Sequence, residues 1–159
     1  MPGVQGFKHP SPPDVDGPEF RSYKETRLAR PRVLIADDEQ EFLQTIALQL
    51  EGECEVVGTS SDGARAVALT TILSPDVVVL DISMPIATGI EAALCLRERG
   101  CRARILFLTV HYDRDFVEAA LSAGGKGYVL KSRLITDLLP AIRAVMDGNV
   151  FISPPLRVD

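Results

Sequence analysis

The chain has 159 residues, 17 of them Lys or Arg and 22 Asp or Glu, for a net charge of −5. That is one domain with appendages, long enough to bury roughly two-thirds of its unfolded surface. The acidic balance excludes a wholly nucleic-acid-binding chain, no apolar run is long enough to span a bilayer, and the N-terminus lacks the apolar stretch of a signal peptide.

A cytoplasmic location follows as the expectation. Cys54, Cys95 and Cys101 are odd in number and lack paired short spacings, so they read as small apolar residues in a reducing compartment rather than a disulfide framework or a zinc site.

Residues 1–31 carry Pro2, Pro10, Pro12, Pro13, Pro18 and Pro31 with Gly3, Gly6 and Gly17. Such a stretch buries little apolar surface and reads as a disordered extension or an expression remnant. Arg21, Lys24, Arg27 and Arg30 make it a solvated basic tail. Arg32 to Ala36 is the first strand, closed by Asp37-Asp38-Glu39. A helix follows over Glu41 to Glu51 on Phe42, Leu43, Ile46, Ala47 and Leu50, with Asp38 as its expected N-cap and Gly52 as its stop. Cys54 to Thr59 is the second strand. Asp62 opens a helix carrying Ala64, Ala66, Val67, Leu69 and Ile72, which ends before Pro75.

Val77-Val78-Val79-Leu80 is an unbroken apolar run between Pro75 and Asp81, the pattern of a central strand buried on both faces. A loop through Pro85 leads to a helix over Gly89 to Arg99 with Ile90, Ala93, Leu94 and Leu96 inward. Arg104 to Leu108 is the fourth strand, followed by Thr109. A helix over Asp113 to Ala123, a short strand over Gly127 to Leu130 and a last helix from about Thr136 to Asp147 complete the pattern, with Pro140 leaving the last helix's start open. Strand and helix alternate throughout, which predicts an α/β fold: a doubly wound parallel sheet with strand order 2-1-3-4-5.

In such a sheet the strands' carboxyl ends point one way, and ligands bind at the switch point between strands one and three. The residues beyond those ends are Asp37 and Asp38, Asp81, Thr109 and Lys131. Carboxylates at ~4 Å in an effective dielectric of about 20 repel by roughly 4 kcal/mol per pair. A hard divalent ion with oxygen ligands answers that repulsion, and Mg²⁺ takes one or two carboxylates with waters and substrate oxygens. Lys131 adds a mobile cation and Thr109 a hydroxyl. The pocket suits phosphoryl transfer to a carboxylate nucleophile.

With these residues in view, the stretch Arg32 to Gly148 resembles the receiver domain of two-component response regulators, a flavodoxin-like (βα)5 fold. The resemblance implies Asp81 as phospho-acceptor, Thr109 and Lys131 as its catalytic neighbours, and Asp37, Asp38, Asp81 and the Ser83 backbone carbonyl as ligands of Mg²⁺. It implies Thr109 and Tyr128 as a switch pair, Tyr128 turning inward as Thr109 moves. Thr109-Val110-His111-Tyr112-Asp113, Ala123 to Ser132, and Gly148 to Pro154 are similar to the NarL-type subclass. That implies a histidine kinase as partner, a homodimer on phosphorylation, and DNA contacted only through a C-terminal domain beyond this chain, with residues 149–159 starting the linker. A stand-alone receiver acting as a docking module or relay intermediate is the alternative. A phosphatase with an aspartyl nucleophile would need a second carboxylate where Ser83 stands. Ser132 replaces the Pro common in other subclasses. Val110 is larger than the usual Ala, which implies slower access to phosphorus and a longer phosphorylated lifetime. Gly125 stands where Ala is commoner, with no expected consequence.

Overall fold

The computed structural model describes residues 30–154. The expectations for the basic tail before Arg30 and for the end of the linker after Pro154 lie outside the described residues. In chain order the elements are β1 (Arg32–Ala36), α1 (Gln40–Leu50), β2 (Glu55–Ser60), α2 (Gly63–Leu73), β3 (Val77–Asp81), α3 (Gly89–Glu98), β4 (Arg104–Thr109), α4 (Arg114–Ser122), β5 (Gly125–Leu130), α5 (Leu134–Met146) and β6 (Phe151–Ile152). A single 3₁₀ turn, Lys131–Arg133, joins β5 to α5. All pairings are parallel and the order is β2-β1-β3-β4-β5-β6. The expected order therefore holds, and a sixth strand extends it.

β3 lies at the centre because every residue of Val77–Asp81 is buried. Successive strand side chains point to opposite faces, so the sheet divides the core in two. Leu34, Val78, Leu80, Phe107 and Tyr128 pack towards Ala66 and Val67 of α2, Ala92 and Leu96 of α3, and Val117 of α4. Val33, Ile35, Val77, Val79, Leu106, Leu108 and Val129 pack towards Leu43, Ile46 and Leu50 of α1 and Leu138 and Ile142 of α5. Each fully buried Val or Leu is worth about 1.5–3 kcal/mol.

On α3 the buried face differs from the expected one, and on α2 only some of the apolar residues it carries turn inward. Leu94 on α3 and Ile72 on α2 are exposed, as is Ala64. The buried stripes are Gly89, Ala92, Ala93 and Leu96 on α3, and Gly63, Ala66, Val67 and Thr70 on α2. Both run i, i+3, i+4, i+7, the spacing of one helix face. Thr70 belongs to its stripe because its hydroxyl donates to the Ala66 carbonyl at 2.7 Å. Asp62 caps α2 by accepting from the Arg65 amide at 2.7 Å, and Thr88 and Glu91 form a reciprocal capping box on α3. α1 departs from expectation: its N-cap is Glu39, with no side-chain cap, and Asp38 stays free for the pocket. Pro140 sits inside α5, where it and Thr136, whose carbonyl it leaves without a helical donor, are both exposed to solvent.

The outer boundaries also move. Pro31, placed by the sequence in the tail, is buried, and its carbonyl accepts the Glu55 amide at 2.8 Å. Phe151–Ile152, placed in the linker, pairs with Gly127 and Tyr128 of β5, and Ser153 after it is fully buried.

Candidate functional site

β1, β3 and β4 run in register, so their carboxyl ends open on one edge: Ala36 lies beside Leu80, and Asp81 beside Leu108. Asp37, Asp38 and Asp81 follow directly, and one carboxylate oxygen from each lies within 4.8 Å of the others. Asp37 and Asp81 are buried and Asp38 is exposed. Asp81 continues the row of Val77 and Val79, towards α1 and α5. Thr109 continues the row of Ile105 and Phe107, towards the opposite layer.

Lys131 joins the acids. Its Nζ lies 2.8 Å from Asp37 Oδ2, 3.3 Å from Asp81 Oδ2 and 3.4 Å from Glu39 Oε1. It also sits 4.4 Å from the centre of the Phe42 ring, a cation–π contact. Burial works against the charge on Lys131, but Asp37 and Asp81 outweigh it and hold its pKa above the ordinary value. Burial, with Asp37 adding to it, pushes Asp81 up to about 6, although Lys131 and the Ser83 amide favour its ionised form. The Ser83 amide donates to Asp81 Oδ1 at 3.2 Å, and the Glu39 amide donates to Asp37 Oδ1 at 2.9 Å.

Asp37 Oδ2 is fully buried. It has Lys131 at ion-pair distance, yet no well-directed hydrogen bond reaches it. A buried carboxylate oxygen held this way beside two further carboxylates suits a hard cation. The acidic cluster can therefore hold a metal ion.

The backbone around Asp81 is tightly drawn. Gly89 approaches so closely that a Cβ there would lie 2.2 Å from the Asp81 carbonyl oxygen. Ile86 has φ +70°, and the Ala87 amide donates across it to the Pro85 carbonyl at 2.7 Å. That is a γ-turn of the strained hand, on a β-branched residue.

Among the described residues, no hydrogen bond joins Thr109 to Asp81 or Lys131. Its Oγ1 accepts from the His111 amide at 3.2 Å. The His111 ring stacks on Phe116, with centroids 4.0 Å apart, and its Nε2 meets Ser83 Oγ at 2.9 Å. Tyr128 is completely buried, and its hydroxyl donates to the His111 carbonyl at 3.1 Å. Burial, with Asp113 adding to it, pushes its pKa up to about 12.

The structure thus brings Asp37, Asp38, Asp81 and Lys131 together, with Thr109, Ser83 and Tyr128 linked to one another through His111. Sequence reasoning missed Glu39, Phe42 and His111 as members of this surround. Glu39 had a signal, a third acid after β1. His111 had one too, two residues beyond Thr109, where the chain turns back over the pocket.

Residues 33–143 match the family model described as the response regulator receiver domain. The chain is 40% identical over 129 residues to the transcriptional regulatory protein DesR of Bacillus subtilis, covering 80% of this chain and 64% of that protein. It spans about half to two-thirds of the length of the curated relatives it matches. Among solved structures it is similar to a LuxR-family two-component response regulator from Aurantimonas, with TM-score 0.77, 32% identity, and coverage of 80% of this chain and 92% of that one. It is also similar to the isolated receiver domain of RcsB from Salmonella enterica in the presence of the phosphomimetic BeF₃⁻, with TM-score 0.73, 28% identity, and coverage of 80% and 96%.

Proposed function

This chain belongs to the response regulator receiver domain family, and from that premise we propose that it is a phospho-accepting switch with Asp81 as acceptor. The observation that carries the reading is Lys131 Nζ bridging Asp37 and Asp81 inside a cluster that Asp38 completes. A histidine kinase phosphorylated on His is the proposed donor. An Asp81 carboxylate oxygen attacks phosphorus, a P–O bond forms as the P–N bond breaks, and the imidazole leaves. At neutral pH, above its pKa of about 6, Asp81 is mostly ionised and can attack.

Asp37, Asp38, Asp81 and the Ser83 backbone carbonyl would hold Mg²⁺, Asp38 directly and Asp37 through water. The bound ion supplies charge neutralisation at the phosphoryl oxygens. The grip of Lys131 on Asp37 supports the indirect role for Asp37. The phosphoryl group adds about −1.5 to −2 of charge. It draws Lys131 away from Asp37, and the Thr109 hydroxyl turns to donate to it. Because the His111 amide is bonded to Thr109 and the Tyr128 hydroxyl to the His111 carbonyl, that turn is felt at β5. We assign the switch to Thr109 and Tyr128 on this linkage.

The output proposed is transcriptional: homodimerisation on phosphorylation and DNA binding through a C-terminal domain, in the cytoplasm. The chain turns over no separate substrate in this reading. Among the described residues no helix is long and apolar enough to cross a membrane. The test uses phosphoramidate as donor with Mg²⁺. The wild-type chain should take up one base-labile, acid-stable phosphate, and Asp81→Asn none. Labelling of Asp81→Asn at the wild-type level would end the assignment.

A further inference from the structure

β6 is held by more than its short ladder. The Ser153 amide donates to the Tyr128 carbonyl at 2.9 Å. Ser153 Oγ donates to Asp137 Oδ2 at 2.7 Å and accepts from the Leu130 amide at 3.1 Å. Asp137, buried on α5, also accepts from Arg133 Nε at 2.7 Å and from Thr136 Oγ1 at 3.0 Å. Ser153 and Asp137 are almost completely enclosed, so their side-chain oxygens must be satisfied by protein partners.

The partners of Ser153 are not scattered. Tyr128 and Leu130 are the last alternate residues of β5. Leu130 immediately precedes Lys131, whose amine lies between Asp37 and Asp81. Two residues later, at the far end of the same 3₁₀ turn, Arg133 grips Asp137. One three-residue turn therefore carries a cation in the acidic pocket at one end and a cation on the knot at the other. The backbone that carries Lys131 is thus continuous, within three residues, with Leu130 before it and Arg133 at its end.

We propose that Phe151–Pro154, clipped through Ser153 to Asp137 and Leu130, is a phosphorylation-sensitive clasp: with a phosphoryl group on Asp81, Lys131 shifts the Lys131–Arg133 turn and loosens the hold of Ser153 on β5 and α5. The inference rests on the reading of Asp81 as phospho-acceptor and adds how that state reaches β6. Coupling of this kind is reciprocal. A clasp weakened by substitution makes the pocket easier to rearrange, so its ligand binds more tightly.

The experiment uses the whole chain with Mg²⁺ and beryllium fluoride, binding being followed by ¹⁹F NMR and amide exchange by hydrogen–deuterium NMR. On binding, exchange at the Leu130 and Ser153 amides should rise at least about five-fold, the lower end of ordinary coupling, while central amides of β3 stay unchanged. Ser153→Ala, and Asp137→Asn where the alanine variant folds poorly, should bind beryllium fluoride more tightly by a similar factor. Bound fluoride with unchanged exchange at Leu130 and Ser153, or unchanged affinity in both variants, overturns the clasp and leaves the acceptor reading standing. No bound ¹⁹F signal in the wild-type chain overturns the acceptor reading, and the clasp with it.

Discussion

Asp81 is a buried acid whose neighbours only partly offset its burial. Its pKa rises from 3.8 unfolded to about 6 folded, so folding takes up a proton between those values. Below pH 3.8 the group is neutral in both states and costs nothing; as pH climbs through 6 the folded protein must carry the charge and loses stability. The full difference, at about 1.4 kcal/mol per pH unit, is on the order of 3 kcal/mol. Asp81→Asn should therefore stabilise the cation-free protein at pH 7 by up to that amount and have little effect at pH 3.5, measured by urea denaturation with EDTA present. Ile86 is the second residue at odds with its surroundings. Relief of its left-handed backbone is worth about 1–2 kcal/mol, while the extra freedom of an unfolded glycine takes back about 0.5–1 kcal/mol. Ile86→Gly should raise stability slightly, by no more than about 1 kcal/mol; a loss would mean that the exposed Ile86 side chain packs in solution. Asp81 could be picked out from the sequence because it ends an apolar run. The strain at Ile86 could not, since a positive φ on isoleucine contradicts its own preference.

Among the elements, β5 and α5 hold what the sequence left least visible. Gly125 was expected to be of no consequence, but a Cβ there would lie 2.6 Å from Phe107 Cε2 and 2.8 Å from the Ala120 carbonyl oxygen. Gly125→Ala should cost about 1–3 kcal/mol by overpacking, read as a lower urea midpoint with an unchanged slope. On α5, burial would raise the Asp137 pKa, but hydrogen bonds from Arg133, Ser153 and Thr136 outweigh it and hold it below the ordinary 3.8. A depressed folded value means that the stability it lends is fully present above pH 3.8 and is lost as pH falls through the folded value. Asp137→Asn should therefore remove part of the acid-induced loss of β6 protection, with amide exchange at Ser153 as the readout. β6 escaped sequence reading because two residues show no periodicity. What fixes them is a serine's bonds to residues far back in the chain.

For the molecule as a whole, the alternation of strands and helices was enough to place Asp37, Asp38, Asp81, Thr109 and Lys131 on one edge, because a parallel sheet aligns every strand end. The inner geometry was not legible. Which acid Lys131 grips depends on side-chain packing that no pattern encodes, and the unbroken apolar run of β4 did not show which layer its Ile105, Phe107 and Thr109 row would face. Lys131 places its own charge among the carboxylates, so it competes with any cation for them. Lys131→Met should destabilise the cation-free protein by several kcal/mol, as loss of one partner from a buried charge cluster does, and should bind Mg²⁺ more tightly than wild type. Thermal melts across a Mg²⁺ titration would show both, and weaker binding in the variant would mean that Lys131 helps to build the ion's site. The end of the sheet has a bearing on association. On the β5 flank the last strand is two residues long, and the chain then passes through the buried Ser153 to Pro154, which has no amide hydrogen to donate. Among the described residues, such a blunted margin gives a neighbouring copy only a short length of strand backbone to pair with.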